Sequence, residues 1–265
     1  RGFNSGLNRR ILVLQDGRDA SMPLLGAQEW NSFSLPLDEF SRVEFVRGPA
    51  ASLYGANAFN GVLNLISYSP KEVLGAKSSV LLGDYQTYRV DTRYANAHKF
   101  FSYKITLGLS NRLNLANRRD SAQFLEYPGL PLERKALTDK DRDTRSYYGT
   151  VRMDFDIADD KVIISEIGYS RNTNEIFVFG LGRTFVKDVE RPYARVAFEI
   201  PNFHFQAHYM QRNVLDTMWL LVPNAPLLDN SKDIFLEGQY NLKLNNNWSF
   251  VLGASQDFQF IRTWG

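Results

Sequence analysis

The chain has few side chains that suit catalysis or metal binding. It contains three histidines and no cysteine, which excludes disulfides and thiolate metal sites. His204 and His208 fall on the same side of a predicted strand, but four residues along a strand span roughly 13 Å, too far for one metal ion. The acidic segment Asp139–Asp143 lacks the ligand spacing of a calcium loop and predicts a solvated loop. Because G-x-S-x-G, P-loop and H-E-x-x-H motifs are also missing, we expect no catalytic residue, no metal, no cofactor and no enzyme.

The composition restricts the remaining classes. A chain of 265 residues suits one large domain or two small ones. Its mean hydropathy is −0.32, and its longest apolar runs are far shorter than the roughly 18 residues that a membrane helix needs. Membrane β-strands escape that test, because they show only alternating hydrophobicity. The net charge of +2 is spread over mixed acidic and basic residues, which gives no argument for nucleic-acid binding.

The most informative stretch runs from residue 43 to residue 66. Val43–Arg47 is short, apolar and β-branched, which predicts a strand. Gly48 ends that strand, and Pro49 suits the first position of a helical turn. Gly55 lies where a left-handed helix stop is needed, and Gly61 opens a second predicted strand. Periodicity alone therefore predicts a compact piece of mixed α+β core.

Specific motifs lie in and before this stretch, and together they point to a family. They consist of Arg47, Gly48 and Pro49; Tyr54 and Gly55; Asn60 and Gly61; and, upstream, Arg1, Gly2 and Phe3 with Asp16 and Gly17. In this order and spacing they resemble the plug domain of TonB-dependent outer-membrane receptors. The resemblance implies that residues 1–72 are the C-terminal part of a plug domain. Because the chain begins inside one of these motifs, we expect it to be an internal piece of a longer protein.

The resemblance also implies where a ligand would bind. The segment Ser21–Ser34 has no clear period and predicts a loop, and loops of this kind at the outer tip of the plug face the ligand in family members. The candidate ligand contacts are Arg1, Arg18, Gln28, Glu29, Trp30 and Tyr54. The same side chains also suit a structural role in which they pack the loop, and that alternative stays open.

Arg47 is the candidate for holding the plug in place. One helical turn is predicted at Pro36–Ser41, and the following strand places Arg47 on one face with Val43 and Phe45. An arginine among apolar neighbours is buried only when it is paired. We therefore expect Arg47 to bond a carboxylate on the inner wall of a barrel.

From residue 77 onward the chain repeats a two-residue alternation. In Phe101–Ser110, aromatic and aliphatic residues alternate with serine, lysine and threonine, and five later segments behave in the same way. One apolar face against one polar face suits a soluble antiparallel sheet or a membrane barrel with a wet interior. Tight connections are predicted near residues 96–99, 158–160, 201–202 and 245–247, and long ones at 112–143, 172–186 and 216–231. This alternation of short and long connections favours the barrel.

The combined prediction is a membrane all-β barrel with a small α+β plug domain inside. About nine antiparallel strands are expected in residues 73–265, out of the 22 strands of such plugged transporters. The resemblance implies TonB-dependent uptake of a scarce bulky nutrient, with a ferric siderophore first and cobalamin next. The expected surroundings are the TonB complex, outer-membrane lipid and a monomeric barrel in a Gram-negative outer membrane. A passive porin and, less favoured, a barrel-embedded hydrolase are the alternatives.

Overall fold

The computed structural model describes residues 11–24, 26–48, 60–115, 138–179, 182–216, 218–220, 225–245 and 247–263. The N-terminal part forms a small four-stranded sheet with the strand order β2-β1-β6-β5, beside a two-stranded pair, β3 and β4. Its strands are β1 Leu12–Gln15, β2 Arg18–Asp19, β3 Ser21–Met22, β4 Ala27–Gln28, β5 Phe40–Arg47 and β6 Gly61–Ser67. Short 3-10 turns lie at Trp30–Ser32, Leu37–Glu39 and Pro70–Val73.

The small sheet is built around β1, which is buried along its whole length. β1 pairs with β6 in parallel and with β2 through a tight turn. Asp16 and Gly17 form that turn, with φ angles of 51° and 79°. Gly61 is required where β6 begins, because its φ is 155° and an added Cβ would lie 2.5 Å from the Val46 carbonyl oxygen. An apolar core fills one side of the sheet and comprises Val13, Leu35, Phe40 and Leu65.

The C-terminal part forms one large sheet in which nine long strands pair in chain order. Each pairing is antiparallel, so the expectation of about nine antiparallel strands is confirmed. Two short strands pair off the edge of β12. The elements are β7 Gly75–Gly83, β8 Thr87–Ala97, β9 Phe101–Leu113, α1 Asp139–Arg142, β10 Asp143–Ala158, β11 Lys161–Phe179, β12 Gly182–Ile200, β13 Phe203–Val214, β14 Met218–Leu220, β15 Ala225–Leu227, β16 Ser231–Lys243 and β17 Ser249–Phe260.

The large sheet buries its polar face and exposes its apolar face. On β9 the side chains of Ser102, Lys104 and Thr106 are buried, whereas Leu107 and Leu109 are exposed. β10 follows the same rule. We call the polar face, against which the small sheet lies, the inner face. A soluble sandwich would pack its apolar faces together, so the alternation is that of a barrel wall with a polar interior.

Two predicted long connections are wrong in detail. Residues 172–186 were expected to form a loop, but β11 and β12 continue as a paired hairpin up to Phe179 and Gly182. Asn174 has a φ of 55°, and this irregular residue interrupts the alternation that strand prediction relies on. Within 216–231, β14 and β15 form a hairpin on β12, where Val186, Val189, Val214 and Met218 make an apolar cluster.

The shorter predictions have mixed outcomes. The segment Ser21–Ser34, expected to be a loop, includes β3, β4 and a 3-10 turn, and the helical turn expected at Pro36–Ser41 is a 3-10 turn followed directly by β5. The acidic segment 139–143 is not a loop, because Asp139–Arg142 forms one helical turn capped by Thr138. The turn expected after Pro49 lies outside the described residues. None of the helices in the described ranges is long and apolar enough to cross a membrane.

Candidate functional site between the two sheets

The loop after β4 is anchored to the inner face by one buried carboxylate. Arg191 Nε donates to Glu29 Oε2 at 2.6 Å. Arg212 donates to the same carboxylate through Nη2 to Oε1 at 2.9 Å and Nε to Oε2 at 3.2 Å. All three side chains are at least nine-tenths buried. Three donors from two guanidinium groups therefore converge on Glu29, the arrangement in which charge-assisted hydrogen bonds are strongest.

Two further carboxylates hold the arginines from the wall side. Arg191 Nη2 donates to Glu175 Oε2 at 2.9 Å, and Arg212 Nη1 lies 3.3 Å from Asp229 Oδ2. We call these five residues the Glu29 cluster. Arg191 and Arg212 project from the neighbouring strands β12 and β13, so strand pairing places their guanidinium groups side by side. The cluster is thus a network rather than a single ion pair.

The backbone around Glu29 is fixed independently of its carboxylate. Its carbonyl oxygen accepts hydrogen bonds from the Ser32 backbone N–H at 3.0 Å and from the Ser32 hydroxyl at 2.7 Å. The wall adds Asn172 Nδ2, which donates to the Asn31 carbonyl at 2.6 Å, and the Ser170 hydroxyl, which donates to the Ser32 carbonyl at 3.0 Å. The turn at residues 30–32 therefore sits on the wall with Glu29 as its charged anchor.

The electrostatics keep Glu29 ionised. Burial would raise the pKa of its carboxyl, but the adjacent guanidinium groups of Arg191 and Arg212 outweigh that effect and lower the pKa to about 2. A buried carboxylate with two cationic partners is stable only while both partners stay in contact. The anchor is therefore charged across the whole physiological pH range.

A second contact lies around Glu39, which is also buried. Its carboxylate accepts a hydrogen bond from Arg93 Nη1 at 3.2 Å, and the ammonium groups of Lys77 and Lys104 each lie 3.9 Å away. Lys104 Nζ instead donates to the Tyr68 carbonyl oxygen at 2.6 Å. We call Glu39, Arg93, Lys77 and Lys104 the Glu39 cluster. Its ion pairs are looser than those of the Glu29 cluster.

The tight turn between β1 and β2 also touches the wall. The Arg18 guanidinium lies 3.9 Å from the centre of the Tyr193 ring, a cation–π geometry, and donates to Met210 Sδ at 3.3 Å. Gln206 Nε2 donates to the Gly17 carbonyl oxygen at 3.1 Å. A Cβ at Gly17 would lie 2.7 Å from the Gln206 amide, so this approach of turn to wall depends on glycine.

The structure separates the predicted ligand contacts by exposure. Arg18, Gln28 and Glu29 are buried against the wall or within the loop, whereas Trp30 is 50% exposed. Arg1 and Tyr54 lie outside the described residues, as do Gly2, Phe3, Pro49 and Gly55. Ligand contact stays a prediction for all six candidates, and of the four that are described Trp30 is the accessible one.

The expected bond between Arg47 and a carboxylate on the inner wall is not found among the described residues. The Arg47 side chain is exposed, and Arg47 lies at the end of β5, an edge strand of the small sheet whose Val43 and Phe45 are exposed as well. None of the described carboxylates makes an ion pair with Arg47. Ion pairs between the small sheet and the wall do exist at Glu29 and Glu39, with the opposite polarity: the small sheet supplies the carboxylate and the wall supplies the cation.

The histidines lie where the alternation predicts. His208 is buried on the inner face with Nε2 3.5 Å from Asp233 Oδ2, and His204 lies near Glu199. Within the ranges that the structure describes, no three His, Asp or Glu side chains come together in a metal-binding arrangement. The Glu29 and Glu39 clusters join a carboxylate of the small N-terminal part to cations of the large sheet.

Comparison with known proteins agrees with this geometry. Residues 1–62 match the family model described as the TonB-dependent Receptor Plug Domain. The vitamin B12 transporter BtuB of Vibrio cholerae is 37% identical over 92 residues, which are 34% of this chain and 15% of the relative. BtuB of Photobacterium profundum is 38% identical over 66 residues, 24% of this chain and 11% of the relative.

Solved structures match over nearly the whole chain. The siderophore receptor PirA of Pseudomonas aeruginosa has a TM-score of 0.60 at 18% identity and covers 98% of this chain and 44% of its own. The FrpB iron transporter of Neisseria meningitidis has a TM-score of 0.68 at 10% identity and covers 96% and 40%. At these identities the likeness shows the fold, and the chain spans less than half the length of these receptors.

The fold and the matches lead to one class. A polar-faced antiparallel wall that carries a small folded domain on its inner side is the architecture of a plugged β-barrel receptor. Residues 1–62 match the plug domain of TonB-dependent receptors, and the two sheets together have the fold of such receptors, with a plug in the small sheet and barrel strands in the large one. The domain boundary predicted near residue 72 stays a prediction, placed between the end of β6 at Ser67 and the start of β7 at Gly75.

Proposed function

We propose that this receptor carries out TonB-dependent uptake of a scarce, bulky nutrient across the outer membrane of a Gram-negative bacterium. The plug and the long connections on its side would capture the nutrient, and the TonB complex would supply the energy that moves the plug. The barrel is proposed to act as a monomer in outer-membrane lipid. No chemistry on the nutrient is required, because transport needs only different affinities in the closed and opened states.

The observation that carries this proposal is how the plug attaches to the wall. The apolar clusters of the plug consist of plug residues. The contacts of the plug with the wall described above are ion pairs, hydrogen bonds and one cation–π contact, among them those of Glu29, Glu39 and Arg18. Polar contacts of this kind exchange for water at modest net cost. A plug attached in this way can leave the wall without first unfolding its core, which is what a gated pathway needs.

The relatives suggest two cargoes. Receptors with a similar fold are named for siderophores and iron, and the relatives with higher sequence identity are named vitamin B12 transporters. We propose a ferric siderophore as the first candidate and cobalamin as the second. The identity to BtuB covers 92 residues, which are 34% of this chain, so the rest of the chain is compared by fold alone.

Growth assays test the proposal directly. The full-length receptor would be expressed in strains that lack their own siderophore or cobalamin receptors, with and without a functional TonB complex. We expect growth on one defined ferric siderophore or on cobalamin, and loss of that growth when TonB is removed. A receptor that supports growth equally well without TonB would contradict active transport.

A passive porin is the alternative from another class. A porin needs no folded domain against its inner wall, so the buried Glu29 and Glu39 clusters argue against it. The test is a swelling assay on liposomes that contain the full-length receptor. If these liposomes swell when they are diluted into a neutral sugar, the sugar passes through the receptor, which would support the porin and overturn the transport proposal.

A further inference from the structure

We infer that Arg191 and Arg212 form an anion-binding site on the barrel wall, that Glu29 of the plug fills this site in the closed state, and that a carboxylate group of the cargo competes for it. The inference rests on the proposed function and deepens it, because it assigns an anionic chemistry to the cargo. It also gives the wall a means of releasing the plug when cargo arrives.

The donor geometry is that of a carboxylate site. Arg191 Nε and Arg212 Nε and Nη2 converge on the two oxygens of Glu29 from 2.6 to 3.2 Å. The wall carboxylates Glu175 and Asp229 orient the same arginines from behind. When Glu29 leaves, both guanidinium groups thus keep a partner that holds their position. The vacated place is therefore a preorganised site.

The site also has a donor that Glu29 does not use. Arg191 Nη1 is buried and finds no hydrogen-bond acceptor among the described residues. Arg191 also helps to line a small cavity of about 20 Å³, together with Glu29, Arg212, Tyr193 and Met210. A buried N–H of a charged group without an acceptor is costly. An anion with more oxygens than one carboxylate can satisfy this donor, which favours a polycarboxylate over Glu29 itself.

The preference for an anion comes from the donors. With Glu29 displaced, Arg191 and Arg212 keep Glu175 and Asp229 as partners, and the three N–H groups that Glu29 leaves behind bind a carboxylate more strongly than a neutral acceptor. Glu29 directly precedes Trp30, which is half exposed. Once displaced, Glu29 no longer anchors the turn at residues 30–32, which then keeps its hydrogen bonds to Arg112, Ser170 and Asn172.

Calorimetric titration of citrate into the detergent-solubilised full-length receptor tests the site without transport. Glu29→Gln removes the carboxylate that competes with citrate. We expect this variant to bind citrate at least about tenfold more tightly than the wild type, because a gain of that size corresponds to about one charge-assisted hydrogen bond. Glu44→Gln, which removes a half-exposed plug carboxylate held by Arg42 and Asn64, is the matched control and should leave the affinity unchanged. Arg191→Gln added to Glu29→Gln should abolish the gain.

A spin label reports the linked movement. With a nitroxide attached at position 30 (Trp30→Cys), citrate should mobilise the label in the receptor that keeps Glu29, and chloride at equal ionic strength should not. Equal citrate affinity in Glu29→Gln and Glu44→Gln, or equal mobilisation by chloride, would overturn the inference. If Glu29→Gln fails to fold, Glu29→Asp keeps the charge with a shorter reach and should bind citrate more tightly than the wild type.

The outcomes separate this inference from the proposed function. Tight citrate binding in Glu29→Gln together with TonB-independent growth would leave the anion site standing and remove the transport proposal. TonB-dependent growth together with citrate affinity that does not respond to Glu29 would do the reverse.

Discussion

The interior of the plug and its contact with the wall are stabilised in opposite ways. Inside the small sheet, Leu12, Leu14 and Val62 form an apolar cluster that excludes polar groups. At the wall, Glu29 and Glu39 are buried against arginine and lysine. Apolar packing is non-directional and holds through small displacements, whereas buried ion pairs depend on geometry and are lost once their partners separate. The difference implies that the plug dissociates from the wall before its own core unfolds.

The largest loss of stability is expected when the apolar core of the plug is disrupted. Val62 is fully buried, so Val62→Asp places an unpaired charge in the core at a cost of several kcal/mol. We expect the plug to become sensitive to protease while the antiparallel wall keeps its circular dichroism. Leu37→Asp is the control, because Leu37 is exposed on a 3-10 turn of the same plug. A Val62→Asp plug as resistant as the control would contradict the core described here.

The next effect is expected at the Glu29 cluster. Glu29→Gln removes the charge that faces two buried guanidinium groups, and breaking a buried pair costs about 3–5 kcal/mol. We expect faster amide hydrogen exchange in residues 26–32 and unchanged exchange in β1 and β6. The matched change Glu44→Gln, at an exposed ion pair, should cost less than about 1 kcal/mol. Equal exchange in the two variants would mean that Glu29 does not anchor the loop.

A smaller effect is expected at the Glu39 cluster. Glu39 has one partner at hydrogen-bond distance, Arg93, and two ammonium groups at 3.9 Å. We expect Glu39→Gln to cost about 1–3 kcal/mol, the cost of leaving a buried donor without its partner, and to speed exchange around residues 37–40. A loss larger than that of Glu29→Gln would reverse the ranking of the two clusters that their distances suggest.

The sequence predicts the wall better than it predicts the contacts on it. Alternation assigns the inner and outer faces of β9 correctly, because a two-residue period follows from strand geometry. It also places His208 and Arg212 on the inner face. It fails at residues 172–186, where the positive φ of Asn174 interrupts the pattern although β11 and β12 remain paired.

The partners of the plug carboxylates lie beyond sequence reasoning for a physical reason. Glu29 and Arg212 are 183 residues apart, and Glu29 lies in a loop that has no period to give its direction. Arg47 is the opposite case, because its sequence pattern suggests burial and the residue is exposed. Its neighbours on the strand are apolar, but β5 is an edge strand with an exposed face. Which face of an edge strand is covered is decided by how the plug docks, and no local pattern carries that information.

The smallest effect is expected from a change of pH, which tests the ion pairs between the plug and the wall. Glu29 has a pKa of about 2 in the folded protein against an ordinary value of 4.5, so its contribution is fully present above pH 4.5 and is lost as the pH falls through about 2. The linked free energy is about 3 kcal/mol. Hydrogen exchange in residues 26–32, corrected for the intrinsic pH dependence of the exchange chemistry, should therefore not change between about pH 5 and pH 8. Loosening of this loop within that range would show that Glu29 titrates there, which is incompatible with a carboxylate held by two buried guanidinium groups.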